Sequence, residues 1–276
     1  MDSQLPEAKP ELIIYLATTF GLGFIALLHC IRMRPWCKPN LVAPWKIRGV
    51  DFGMVILTVF TGLFVIQSIA NFIYQDIVPE NEHSEAWQTI ISGYSNHFII
   101  LTLFALSWIF RSDFFPKNIN AVSLPYRTIL FKAFYGFLLS IPLIYSWGLF
   151  MIYLEKIGYS IEKQPLVETI AATHSPLLLL LFIFLAAVIA PISEELIFRG
   201  VIYRFIKGHV HPTLALILSA LIFSLLHFNT MAYVPLFILG LLLAYSYEVT
   251  GNLAVPILLH ALFNANTLIL IALQAV

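Results

Sequence analysis

Six side chains in the C-terminal half of this 276-residue chain are of types that can activate water and stabilise charge. They form three groups along the sequence: Glu194, Glu195 and Arg199, then His227, then His260 and Asn264. Each group lies in a stretch that is otherwise mostly apolar. A charged side chain at membrane depth costs roughly several kcal/mol and usually marks a functional site. The sequence therefore indicates chemistry carried out inside a lipid bilayer.

The first group divides into a structural pair and a free carboxylate. Glu195 and Arg199 are four residues apart and meet on one helix face, where the arginine fork can neutralise the carboxylate. Glu194 is rotated by about 100° from Glu195 on the same helix, so Arg199 is not its natural partner. The spacing predicts a supporting Glu195–Arg199 ion pair and leaves Glu194 as the acting group.

The loop positions predict that Glu194 and His227 lie at the same depth. The loop between their segments centres near residues 209–212, about sixteen residues from each of them. In an antiparallel helical hairpin, equal distances from the turn mean equal depth. His260 and Asn264 are four residues apart, share one helix face and can each present an N–H donor to the same point.

Together these groups are the parts needed to activate water against an amide. A Glu194 carboxylate in a partly dry pocket, with the His227 imidazole, can act as a general base. His260 and Asn264 would stabilise a tetrahedral oxyanion, a contribution of about 3–4 kcal/mol for one good donor. Alternatively, Glu194, His227 and His260 could hold zinc with an open water position. The H-E-x-x-H helix of zinc proteases is absent, so glutamate-activated water without a required cofactor is the favoured interpretation.

The composition predicts a membrane-embedded scaffold for these residues. Hydrophobic residues make up 60% of the chain and charged residues 11%, against about 25% charged residues in soluble domains. The net charge of zero excludes a basic surface for nucleic acid. Eight apolar segments without an alternating strand pattern predict an all-α polytopic membrane protein of about eight transmembrane helices. The segments are Leu12–Ile31, Phe52–Tyr74, Thr89–Phe110, Ile129–Tyr153, Leu177–Ile206, Thr213–Phe228, Ala232–Tyr247 and Leu253–Leu273.

A polar linker over residues 155–175 predicts two regions. Residues 1–165 form a four-helix transmembrane region of unassigned function, and residues 176–270 form the transmembrane domain that holds the site. Twelve Lys and Arg residues flank the loops after the first, third and fifth segments, which share a side with the loop after the seventh, and three lie on the other side. This bias puts those loops in the cytoplasm and both termini outside. The expected location is a bacterial inner (plasma) membrane, with the site nearer the cytoplasmic face.

The three motifs, taken in order, resemble those of one family. E-E-x-x-x-R, then F-x-x-x-H from Phe223 to His227, then H-x-x-x-N look like the CAAX protease and bacteriocin-processing family of intramembrane endopeptidases. The resemblance covers about residues 176–266. It implies that Glu194 and His227 activate water and that His260 and Asn264 form the oxyanion site. The family is often labelled as metalloproteases, which keeps the zinc alternative open.

The resemblance implies a membrane-bound substrate: a prenylated CAAX-type tail, a leader peptide or an anchored protein. Two other functions fit part of the pattern. Intramembrane Glu and His residues also build the proton relays of coupled transporters, although no internal repeat is visible here. A catalytically inactive scaffold or immunity protein would keep the same fold. The intact motifs favour the endopeptidase, and the oligomeric state is open.

Pro191 and His97 also lie in these apolar segments. Pro191, three residues before Glu194, predicts a kink that exposes main-chain carbonyls. His97 lies in the third apolar segment without a carboxylate nearby in sequence, so it is not expected to take part in the site.

Overall fold

The computed structural model describes residues 9–33, 41–77, 83–110, 113–159, 165–229 and 232–275, and these ranges contain helices and no strands. Within these ranges, seven helices are long and apolar enough to cross a membrane. Together with a shorter apolar helix they confirm the predicted all-α polytopic membrane fold of about eight helices. The helices are α1 (Pro10–Met33), α2 (Gly49–Ile77), α3 (Ser84–Ile109), α4 (Tyr126–Lys156), α5 (Pro165–Ala171), α6 (Pro176–Lys207), α7 (Pro212–Leu225), α8 (Tyr233–Thr250) and α9 (Ala254–Ala275).

Two of these helices differ from the others in length. The 7-residue α5 lies in the polar linker, where no helix was predicted. The 14-residue α7 is about 20 Å long, which is short of a hydrocarbon core about 30 Å thick. It packs against α8, and a Cβ added at Gly240 of α8 would lie 3.0 Å from the Cα of Ala220 in α7. Such close backbone contact at a small residue is typical of helix pairs in membranes.

Helix α6 is continuous but irregular. Its α-helical parts, Pro176–Phe184, Ala190–Glu195 and Arg204–Lys207, alternate with two π-helical segments, Leu185–Ile189 and Leu196–Tyr203. In the first π segment the main-chain N–H of Ala190 bonds to the carbonyl of Leu185, five residues back. π segments are rare and are frequent at functional sites. The helical register changes just before Pro191, and the kink expected at this proline stays a prediction.

The main buried core draws on both halves of the chain. Residues of α2 and α4, such as Val55 and Phe137, pack in one cluster with Val201 of α6, Leu239 of α8 and Leu259 of α9. The helices that carry the motif residues are therefore positioned partly by the N-terminal helices. The division into regions 1–165 and 176–270 stays a prediction.

The loops that follow α1, α3, α6 and α8 meet at one end of the molecule. Residues 41–48 contact the end of α6, where Trp45 N–H donates to the carbonyl of Arg204 at 2.8 Å. The main-chain N–H groups of Ala121 and Val122 donate to the carbonyl of Gly251, at 2.7 and 3.0 Å. The sequence predicts that these four loops share one side of the membrane. Which face they occupy stays a prediction.

Candidate active site

The predicted ion pair is present at the centre of the site. Arg199 Nη1 lies 2.6 Å from Glu195 Oε1, and both side chains are 0% exposed. Arg199 Nη2 donates to the carbonyl of Gly240 at 3.1 Å, and its guanidinium carbon lies 4.5 Å from the ring centre of Phe223. A buried charge needs a partner and further hydrogen bonds. Through its contacts with Phe223 and Gly240, Arg199 holds α6 against α7 and α8.

Glu195 has a second partner that the sequence did not predict. His260 Nδ1 lies 3.0 Å from the same Glu195 Oε1 that binds Arg199. A carboxylate only accepts hydrogen bonds, so Nδ1 of His260 carries the proton. His260 Nε2 then faces the neighbouring carboxylate, 3.9 Å from Glu194 Oε2. Glu195 therefore orients His260 in addition to neutralising Arg199.

His227 lies just beyond a helix rather than inside one. The sequence places it in a segment that reaches Phe228, but α7 ends at Leu225. The turn is closed by His227 itself, whose main-chain N–H and Nδ1 lie 3.2 and 2.7 Å from two carbonyls of the last helical turn. Phe228 follows with φ of 49°, which ends the helix in a left-handed residue. The side-chain bond to Phe223 O requires a proton on Nδ1, so Nε2 of neutral His227 is an acceptor.

Glu194 lies between the two histidines. Its Oε2 is 4.0 Å from His227 Nε2 and 3.9 Å from His260 Nε2. The same oxygen is buried and has no hydrogen-bond partner among the described residues. These separations are too long for direct hydrogen bonds and suit a single water between each pair. The equal-depth argument thus correctly predicts that Glu194 and His227 face each other.

Asn264 contacts the irregular backbone of α6. Its Nδ2 donates to the carbonyl of Ala186 at 2.8 Å. In the five-residue spacing of this π segment, the main-chain N–H of residue 191 would bind that carbonyl, but Pro191 has none. Asn264 supplies the missing donor and keeps a second N–H. The structure therefore gives Asn264 a structural contact that the sequence did not predict, and its oxyanion role stays a prediction.

His97 of α3 also reaches the site, against the sequence expectation. Its Nδ1 lies 2.6 Å from the hydroxyl of Ser193, the residue before Glu194. No local sequence signal links His97 to Ser193, because their contact depends on how α3 packs against α6.

The zinc alternative names Glu194, His227 and His260 as ligands. In the part of the chain that the structure describes, no group of three His, Cys, Asp or Glu side chains is placed to hold a metal ion. Both histidine Nε2 atoms lie about 4 Å from Glu194 Oε2. The zinc alternative stays a prediction.

Known proteins match the part of the chain that holds these residues. Residues 176–266 match the model of the family described as "Type II CAAX prenyl endopeptidase Rce1-like". The "Membrane-embedded CAAX protease MroQ" of Staphylococcus aureus (strain USA300) is 38% identical over 91 residues, which cover 30% of this chain and 36% of that relative. The chain therefore spans about a third of that protein's length, and no solved structure matches it. The matched residues 176–266 include all six motif residues, so this part of the chain is similar to CAAX prenyl endopeptidases.

Proposed function

We propose that this chain is an intramembrane endopeptidase that hydrolyses a peptide bond in a membrane-associated substrate. One observation carries the proposal: Glu194 presents a buried, unpartnered carboxylate oxygen to the Nε2 atoms of His227 and His260. A carboxylate in such a place is suited to remove a proton from water. The family match of residues 176–266 supports proteolysis as the use of that activated water.

In the proposed reaction, Glu194 and His227 hold the attacking water. Glu194 Oε2 and neutral His227 Nε2 are both acceptors, so each receives one O–H and a lone pair is left for the substrate carbonyl. Glu194 takes the proton as the new carbon–oxygen bond forms. The proton then passes to the leaving nitrogen as the carbon–nitrogen bond breaks, which balances the hydrolysis.

His260 and Asn264 are proposed to bind the oxyanion. A protonated His260 donates from Nε2, and the Glu195 carboxylate at Nδ1 stabilises the positive charge on the ring. The second N–H of Asn264 donates to the same oxygen. One good donor of this kind contributes about 3–4 kcal/mol to transition-state binding.

The proposed substrates are prenylated CAAX-type tails, leader peptides or membrane-anchored proteins. The relative's printed name, a CAAX protease, makes the first class the first to test. A site embedded among apolar helices reaches a substrate that is itself held in the membrane. We place the protein in a bacterial inner membrane, with both termini outside and cleavage nearer the cytoplasmic face.

The test is cleavage of membrane-anchored peptides of the three classes by detergent-purified protein. Wild type is compared with Glu194→Gln, each with and without a zinc chelator. We expect wild type to cleave in chelator and Glu194→Gln to lose at least about a hundredfold in kcat, since the base is lost while the shape is kept. Loss of wild-type cleavage in chelator would instead require a metal. Cleavage by Glu194→Gln at the wild-type rate would refute the assigned base.

A further inference from the structure

Helix α3 lies outside the matched residues 176–266, yet it packs closely on the part of α6 that precedes Glu194. A Cβ added at Gly93 of α3 would lie 2.5 Å from Cδ2 of Leu185, the first residue of the π segment. His97 is four residues after Gly93 and so lies on the same face of α3. The close approach at Gly93 brings the His97 ring against α6 one turn later.

The His97 ring contacts a fully buried serine. Ser193 is 0% exposed, and its Oγ lies 2.6 Å from His97 Nδ1 and 3.1 Å from the carbonyl of Ala190. A serine hydroxyl has one proton to donate. When Ser193 donates to the Ala190 carbonyl, His97 must donate to Ser193 from Nδ1. This hydrogen bond then joins α3 to α6.

The segment that carries Ser193 and Glu194 needs such a contact. Residues Ala190–Glu195 form a short α-helical stretch between two π segments. Pro191, inside it, has no N–H to donate. The main chain alone therefore fixes the rotation of this stretch less firmly than in a regular helix. Since a displacement of about 1 Å at a reacting group can cost about a hundredfold in rate, the rotation of this stretch matters for Glu194.

We propose that His97 is a positioning residue, which acts through Ser193 to hold Glu194 facing His227 and His260. This inference rests on the proposed endopeptidase function. It extends the site to a helix of the N-terminal region, for which the motif match gives no role. The contact assigns to α3 a part in the reaction that goes beyond packing.

The kinetic test compares His97→Ala, Ser193→Ala and the double variant with wild type. We expect kcat to fall about tenfold to a hundredfold in each single variant, with KM changed less than about threefold. The double variant is expected to be no slower than the slower single variant, because both remove the same contact. His97→Asn is expected to recover part of the rate, since its amide reaches the position of Nδ1.

Tyr94→Phe is the matched control. The Tyr94 hydroxyl donates to the carbonyl of Leu181 at 3.0 Å, so it also joins α3 to α6 but does not touch Ser193. If His97 only docked the two helices, Tyr94→Phe would slow kcat as much as His97→Ala. Equal losses in these two variants, or wild-type kcat in His97→Ala, would overturn the proposal.

A second readout does not depend on cleavage. Glu194→Cys is made in a background in which Cys30 and Cys37 are replaced by serine, and its rate of reaction with a small maleimide is measured. We expect His97→Ala to change this rate at least about threefold and Tyr94→Phe to leave it unchanged. Equal rates in all three backgrounds would also overturn the proposal.

The cleavage and maleimide measurements distinguish a failure of the endopeptidase proposal from a failure of the positioning role of His97. If wild type cleaves none of the peptides, the endopeptidase proposal fails, and the maleimide rates still decide whether His97 positions residue 194. If wild type cleaves, Glu194→Gln does not and His97→Ala cleaves normally, the function stands and the positioning role fails.

Discussion

At the scale of single residues, two adjacent glutamates occupy different environments. Glu195 is 0% exposed and its Oε1 is bound by Arg199 and His260, whereas the Glu194 side chain is 18% exposed and its Oε2 lies about 4 Å from the Nε2 atoms of His227 and His260. The rotation of about 100° between neighbours on a helix turns one carboxylate to the protein interior and the other to the histidines. The same residue type therefore supplies both a support and a candidate base.

Removing the arginine tests the supporting role. Arg199→Ala leaves the Glu195 charge buried without its main partner, so we expect the free energy of unfolding to fall by about 3–5 kcal/mol. Thermal unfolding in detergent measures the loss. Arg48→Ala is the control, because Arg48 also pairs with a carboxylate, Asp51, but its side chain is 82% exposed. That variant should lose no more than about 1 kcal/mol, and equal losses in both would argue against a structural role for the buried pair.

At the scale of helices, the irregular register of α6 is the feature that places the site. The π segments change which carbonyls are bonded along the helix, and Pro191 leaves the carbonyl of Ala186 without a main-chain donor. Asn264 of α9 binds that carbonyl, so the irregularity in one helix fixes the position of another. In a regular α-helix the N–H of Ala190 would bind the Ala186 carbonyl, and Pro191 would instead leave the carbonyl of Ala187 without a donor.

A pair of substitutions separates the structural from the catalytic role of Asn264. Asn264→Ala leaves a carbonyl unsatisfied, so we expect stability to fall by about 1–3 kcal/mol and cleavage to be lost. Adding Pro191→Ala restores a main-chain N–H near Ala186. We expect this second change to recover most of the melting temperature without recovering kcat. Recovery of both would show that Asn264 acts only through the fold.

Part of the arrangement of the helices was predictable from the sequence. Hydropathy identified the eight segments. The equal number of residues from the turn predicted that Glu194 faces His227, because depth in an antiparallel hairpin follows from that count. The contacts of His97 with Ser193 and of His260 with Glu195 were not predictable in this way. They depend on how helices rotate and pack, and the π segments depend on hydrogen-bond register. The α5 helix was missed because it has only seven residues and lies within a linker that is polar overall.

At the scale of the whole molecule, the basic loops and the helix ends form one layer. Arg204 donates to the carbonyls of Ala43 and Lys117, and Lys207 to the carbonyl of Val42 and the Glu248 carboxylate. The loops after α1 and α3 are thereby tied to the ends of α6 and α8. The sequence predicts that these loops share one side of the membrane, whereas their hydrogen bonds with one another could not be predicted from it.

Labelling of single cysteines in intact cells tests this layer. Cys30 and Cys37 are replaced by serine, and cysteine is placed at exposed Asp113, His209 or His174. We expect a membrane-impermeant maleimide to label residue 174 only, because the other two lie in loops predicted to be cytoplasmic. The reversed pattern would contradict the orientation alone. Different results for residues 113 and 209 would contradict a shared side.

The Glu195–Arg199 pair has a consequence for how the protein matures. It touches Gly240 of α8, Phe223 of α7 and His260 of α9 while lying on α6 itself. His260 is thus held in its orientation only after all four helices have come together in the membrane. A partly inserted chain would present the motif residues without the arrangement that makes them reactive. Such a dependence would keep the proposed endopeptidase inactive until its assembly is complete, without a separate inhibitor.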